Sequence, residues 1–213
     1  FALAVQNHKK KKFEAAENLY KEILKTKPNH FQSNFLLGTL FAQTQKFNIA
    51  KELFEKTIKI DPDYMDAHNN LGNVLKELGE YQKAKSCYQK AIQIQPNRAS
   101  THNNLGIIFN ELGKFQRAIS CYEKAIEINP NYADAHNNLG NVLKDSGKYE
   151  KAISCYEKAI EINSNHPHAY YNLGNIFKNL GEHEKAISYY KKTNSIVSKE
   201  ELLKYSYLLN GIE

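Results

Sequence analysis

The side chains of this sequence whose types and spacing could do chemistry are three histidines, three cysteines, paired glutamates and a long asparagine series. His68, His102 and His136 stand 34 residues apart, as do Cys87, Cys121 and Cys155. Imidazole and thiolate are zinc ligands, but zinc needs its ligands within about 2.1 Å of one point. Side chains that recur once per layer of a repeated structure cannot converge in that way, so packing is expected of the histidines and no metal is expected. Layers on the order of 10 Å apart also exceed the Cα separation of about 7 Å that a disulfide tolerates. Buried or half-buried free thiols are therefore the expectation. His166 and His168 flank Pro167 with no third ligand near them in sequence, and they read as surface residues.

Gly106 to Lys114 and Gly140 to Lys148 each place six residues between a glycine and a Gly-Lys pair, superficially like a phosphate loop. That motif needs four intervening residues, a strand before it and Ser or Thr after it; here Phe115 and Tyr149 follow, and the intervening residues carry a helical pattern. Glu123 with Glu127, and Glu157 with Glu161, are carboxylate pairs on lysine-rich helices, where solvation is the expected state. No nucleophile with its base emerges. The chain reads as non-catalytic, with no cofactor.

The asparagines are the most informative set: Asn69, Asn70 and Asn73, then Asn103 and Asn104, then Asn137, Asn138 and Asn141, then Asn172 and Asn175. Members three and four apart share one face of a helix. An amide both donates and accepts, which suits the main chain of an extended peptide whatever its side chains. The same amides could instead tie neighbouring helices together, and the sequence leaves both readings open.

The elements that must position these residues are repeats. Asp66–Asn97 returns with an offset of 34 at Ser100–Asn131, Asp134–Asn165 and His168–Lys199, and Gly38, Gly72, Gly106, Gly140 and Gly174 mark the same period. Self-similarity of this length signals a solenoid or array. Residues 1–30 read as a degenerate first copy, and residues 31–64, 65–98, 99–132, 133–166 and 167–200 as five full ones. Residues 201–213 read as part of a capping helix, in an amphipathic stretch from Lys199 to Leu209, or as the start of a truncated region.

Within one copy, Leu105, Gly106 and Phe109 precede Gly113 at helical spacing, and Ala118, Ile119, Tyr122, Ala125 and Ile126 follow it. Each copy is thus two helices and a turn. Gly79, Gly113, Gly147 and Gly181 are expected to end first helices in a left-handed conformation, with Gln45 in that place in the second copy. Pro28, Pro62, Pro96 and Pro130 are expected to stop second helices. Gly106 and Ala118 are small where paired helices must approach, with Tyr122 and Leu105 filling the space beside them.

At 41% hydrophobic and 24% charged residues, with a mean hydropathy of -0.64, the chain suits thin layers with much surface. No apolar run reaches the roughly 18 to 20 residues that span a bilayer, and the start lacks a signal-peptide pattern. Reduced thiols fit a cytoplasmic location. Because Phe1 lies inside a helical repeat, the natural protein is expected to begin earlier. The net charge is +6, of which residues 1–30, with seven Lys and three Glu, supply +4. Lys9–Lys12 lacks interleaved aromatics and reads as a solvated turn rather than a nucleic-acid or lipid contact.

Leu-Gly, an aromatic residue or Leu three positions after that Gly, then Ala, Tyr and Ala in the second helix, and Pro before the next unit together resemble the tetratricopeptide repeat family over about 170 to 200 of the 213 residues. The resemblance implies an all-α, right-handed superhelical solenoid of antiparallel helix pairs whose first helices line a concave groove for peptides or protein partners. On that basis the groove residues are Asp66, Asn69, Asn70, Asn73, Lys76, Asn103, Asn104, Asn137, Asn138, Asn141, Lys144, Tyr171, Asn172 and Asn175. Glu77, Ser100, Asn110, Glu111, Asp134, Asp145, His168 and Lys178 flank them.

Some members of the family clamp a C-terminal carboxylate with Lys and Arg, but the matching places here hold Asn69, Asn73, Asn104, Asp134 and Asn138. The wording HNNLGNVLKE, with NLGN again at Asn172–Asn175, also looks like the repeat region of the O-linked N-acetylglucosamine transferases. A substrate-recruiting part of a larger enzyme is therefore the alternative to a scaffold. Self-assembly through the repeat ends, giving a homo-oligomer, is a third reading.

Overall fold

The computed structural model describes residues 1–196, which form twelve α-helices and no strand. The reading of Lys199–Leu209 as a capping helix lies outside the described residues. Two compact units divide the chain, Phe1–Leu112 and the part that starts at Gly113. The first holds α1 (Ala2–Lys9), α2 (Phe13–Thr26), α3 (Phe31–Gln43), α4 (Phe47–Ile60), α5 (Met65–Glu77), α6 (Tyr81–Ile94) and α7 (Ala99–Glu111). The second holds α8 (Phe115–Ile128), α9 (Ala133–Asp145), α10 (Tyr149–Ile162), α11 (Pro167–Asn179) and α12 (His183–Ile196).

Within each unit every helix packs against the next one in sequence. Odd-numbered helices also touch each other, α3 with α5, α5 with α7 and α9 with α11. This is how a repeat that cannot bury its own apolar face gains a core from its neighbours.

The helices end where the chain chemistry requires. After α5 the chain turns at Gly79, with φ of 73°, and the Glu80 N–H reaches back to the Leu75 carbonyl at 2.8 Å. This left-handed closure satisfies a carbonyl that the helix end would otherwise orphan. The same closure follows α3 without a glycine: Gln45 sits at φ 59°, and the Lys46 N–H reaches the Phe41 carbonyl at 2.8 Å. Lys11, at φ 58°, does the same after α1, so the basic run Lys9–Lys12 forms a turn between two helices. A left-handed residue that carries a Cβ costs about 1–2 kcal/mol. Second helices stop before Pro28, Pro62, Pro96 and Pro130.

The core of each unit is a seam of small and large side chains. Ala84, Tyr88, Ala152 and Tyr156 are fully buried. The glycines of α3, α5, α9 and α11 each lie flat against a ring of the helix that follows. A Cβ on Gly72 would stand 2.7 Å from Tyr88 Cε1, on Gly140 2.6 Å from Tyr156 Cε1, and on Gly174 2.5 Å from Tyr190 Cε1. Gly38 faces the slimmer fit of Phe54, at 3.0 Å. Hence the period of these four glycines is a packing requirement.

Candidate functional site

The asparagines of the odd-numbered helices fall into three groups. The first group forms locks between helices. In the first unit the Tyr88 hydroxyl, on α6, donates to Asn73 Oδ1, on α5, at 2.7 Å, and Asn104 Nδ2, on α7, donates to the same oxygen at 3.0 Å. In the second unit the Tyr156 hydroxyl donates to Asn141 Oδ1 at 2.8 Å, and Asn172 Nδ2 donates there at 2.9 Å and to Asn137 Oδ1 at 3.1 Å. One amide oxygen with two lone pairs thus joins three helices. The Tyr190 hydroxyl repeats half of the pattern with Asn175 Oδ1, at 2.8 Å. Burial pushes the Tyr88 and Tyr156 hydroxyls up in pKa, and Tyr190 up to about 12, so all three keep the proton they donate.

The second group is buried. Asn69, Asn103 and Asn137 are at most 7% exposed. Asn69 Oδ1 accepts from the Thr101 hydroxyl at 3.2 Å, and Asn137 Nδ2 donates to Asn138 Oδ1 at 3.4 Å. These three belong to the seam between helices, and burial removes them from a surface that a peptide could touch.

Asn110, on α7, is half-buried and its Oδ1 has no hydrogen-bond partner among the described residues; within the asparagine series singled out from the sequence, the third group is Asn70 alone. It is half-buried, and its amide has no side-chain hydrogen bond among the described residues. The reason lies in the preceding copy, where the places of Asn73 and Tyr88 are taken by Thr39 and Phe54. The Thr39 hydroxyl turns back to the Phe35 carbonyl at 3.0 Å, and Phe54 has no hydroxyl. Asn70 therefore has no lock to join.

The charged candidates are also partly engaged. Asp66 accepts from Arg98, the residue that precedes α7. Its counterpart Asp134 pairs with His166 at 3.1 Å, and the His166 N–H holds the Asp134 carboxyl below the usual carboxylate range. Lys76 pairs with Glu77 at 2.7 Å and Lys144 with Asp145 at 3.3 Å. Such solvent-facing pairs between neighbours hold little energy. Tyr171 rests against Tyr190, ring centres 5.9 Å apart.

His166 corrects the sequence reading. It is not a surface residue but 4% exposed. Pro167 opens α11 without an N–H of its own, and His166 Nδ1 accepts from the Ala169 N–H at 3.2 Å. That bond fixes the tautomer: the proton lies on Nε2, which faces Asp134. His168 is exposed.

The layered histidines have a structural use that residue type did not reveal. Nε2 of His68, His102 and His136 donates to the carbonyls of Pro62, Pro96 and Pro130 at 2.8, 2.8 and 3.0 Å. Asn34 takes the same place in the second copy, with Nδ2 donating to the Pro28 carbonyl at 3.0 Å. Among the described residues no three His, Cys, Asp or Glu side chains are placed to hold a metal ion. The three cysteines are free and half-buried. Burial pushes the Cys87 and Cys121 thiols up to about 11 and raises Cys155 as well.

The tyrosine-asparagine locks escaped the sequence reading, though a signal was present. Each locked tyrosine lies 15 residues after its asparagine, at 73 and 88, 141 and 156, and 175 and 190.

Solved structures share the fold of this chain. MamA is 28% identical, covering 79% of this chain and 98% of its own, with a TM-score of 0.66. YrrB, described as a tetratricopeptide repeat protein with an unusual peptide-binding site, is 21% identical over 88% of this chain and 97% of its own, with a TM-score of 0.63. PilF of Pseudomonas aeruginosa is 19% identical over 97% and 94%, with a TM-score of 0.79. At such identities YrrB and PilF speak for the fold alone. Tetratricopeptide repeat family models match residues 63–131, 121–154 and 167–196, and a TPR repeat model matches 38–79 and 140–181. No match is found among curated proteins.

Proposed function

The chain belongs to the tetratricopeptide repeat family, and from that premise we propose that it is a non-catalytic scaffold that takes an extended peptide or partner segment along the faces of its odd-numbered helices. The observation that carries this reading is Asn70, a half-buried amide with no partner beside amides that are locked. Around it, Lys76 and Asp66 supply charge on the same helix. In the second unit Lys144 and Tyr171 hold the corresponding role, beside Asn175. Main-chain recognition through amides, with flanking charges for selectivity, is the chemistry that these groups offer.

YrrB, with its unusual peptide-binding site, shares the fold. No helix among the described residues is long and apolar enough to cross a membrane. The free cysteines suit a reducing compartment, and a cytoplasmic location is part of this proposal.

The test uses a partner recovered from extract on the immobilised wild-type chain. Asn70→Ala combined with Lys76→Ala is expected to weaken its binding about ten-fold, on the scale of 1.4 kcal/mol, while circular dichroism stays unchanged. Full affinity in that variant, with an intact fold, sinks the proposal.

A further inference from the structure

The lock that joins α5, α6 and α7 has a counterpart at α1, α2 and α3 in which both amides are missing. Tyr20 stands where Tyr88 does. Fifteen residues earlier, in the place of Asn73, is Val5, and in the place of Asn104 is Leu36. The consequence is visible: Tyr20 is fully buried, and its hydroxyl is without a hydrogen-bond partner among the described residues. Burial of an unpaired hydroxyl is costly, and native proteins rarely leave one without a reason.

Tyr20 is one of the residues that line a cavity of about 560 Å³, together with Val5, Phe13 and Leu36. Lys9 and Lys11, both exposed, stand at its mouth. A bond of 3.0 Å between His8 Nε2 and Gln43 Oε1 fixes one wall. No carboxylate lines it, and the run Lys9–Lys12 forms no ion pair among the described residues. The nearby Glu17 is already held by Lys21 at 2.5 Å and Lys46 at 3.6 Å. The volume lies within the usual range of ligand pockets, roughly 300–1,000 Å³.

We propose that this cavity is an anchor site for a tyrosine side chain of an acidic partner segment: the ring fills the apolar space, its hydroxyl pairs with that of Tyr20, and the flanking acids meet the lysines at the mouth. The proposal rests on the reading of the first-helix face as a peptide-binding surface, and it names the chemistry of the segment at one end of that face. Val5 and Leu36, in the places of the lock amides, supply apolar walls, the orphaned hydroxyl supplies the polar selectivity, and the unpaired lysines supply the charge. Burial raises the Tyr20 pKa, so the group stays a neutral phenol able to donate.

The probes are short peptides of Asp, Glu and Ser, blocked at both ends, with Tyr, Phe or Ala at the centre, and one with lysine flanks around Tyr. Fluorescence anisotropy on the full chain is expected to rank Tyr over Phe over Ala, with about ten-fold between Tyr and Ala, and to show no binding of the lysine-flanked peptide. Tyr20→Phe should erase the preference for Tyr over Phe. Val5→Asn, which restores the lock amide, should raise the thermal midpoint and bring the Tyr peptide down to the Ala level. Opposite movement of stability and binding is a result that a purely structural Tyr20 does not give.

Equal binding of the Tyr and Ala peptides, a preference for Tyr that survives Tyr20→Phe, equal binding of the lysine-flanked peptide, or no binding of any peptide overturns the proposal. If the recovered partner loses affinity in the Asn70→Ala, Lys76→Ala variant but keeps it in Val5→Asn and in Tyr20→Phe, the anchor site fails and the peptide-binding face stands.

Discussion

At the scale of single residues, recurrence and chemistry part company. Cys87, Cys121 and Cys155 recur with the repeat, and burial raises all three thiols, two of them to about 11. A raised pKa means less thiolate at a given pH, so iodoacetamide should modify Cys87 and Cys121 at pH 8 on the order of a hundred-fold more slowly than a free thiol of pKa about 8.5. The rate should climb with pH until it levels near 11. By linkage, the stability that comes from keeping these thiols neutral is complete below the unfolded pKa and is lost as pH rises through the folded one. Fast alkylation at pH 8 in the folded protein contradicts this account. The packing use of His68 was legible because layered ligands cannot converge. The capping role of His166 was not, because it depends on a ring nitrogen facing the Ala169 N–H, a bond that the neighbouring Pro167 only hints at. The asparagines were legible as a set but not by role: residue type says that an amide wants partners, and only the fold says that Asn73 has found two and Asn70 none.

At the scale of elements, the helix pair is set by where a first helix must lie flat on a ring. Gly72→Ala gains up to about 1 kcal/mol of helix propensity, yet it puts a Cβ 2.7 Å from the buried Tyr88 ring. Overpacking of this kind costs about 1–3 kcal/mol, so the variant is expected to unfold at lower urea concentration than the wild type. Gly38→Ala, with its 3.0 Å approach to Phe54, should lose less. The reverse order in the two urea midpoints removes the packing explanation of the glycine period. Helix existence and order were readable from the 34-residue pattern, its glycines and its prolines, since these residues act locally on the backbone. The left-handed turns at Gln45 and Lys11 were not readable, because nothing in a side chain with a Cβ announces a positive φ. The chain adopts them because the closure of the preceding helix is the same in every copy.

At the scale of the whole molecule, the chain belongs to the tetratricopeptide repeat family, and the proposal is that its first-helix residues divide between holding the layers together and facing a partner. Tyr88 and Asn73 belong to the first task, and Asn70 is assigned to the second. The choice between the tasks was beyond the sequence because both use the same residue type at the same period, and it turns on Thr39 and Phe54 one copy earlier. The most direct test compares Tyr88→Phe with Asn70→Ala, each measured for denaturant stability and for affinity to the recovered partner. The account predicts that Tyr88→Phe costs about 0.5–1.5 kcal/mol of stability and leaves affinity unchanged. Asn70→Ala should leave stability within about 0.5 kcal/mol and weaken binding about ten-fold. If Asn70→Ala destabilises the fold as Tyr88→Phe is expected to do, and binding is untouched, the division of labour proposed for these helices is wrong.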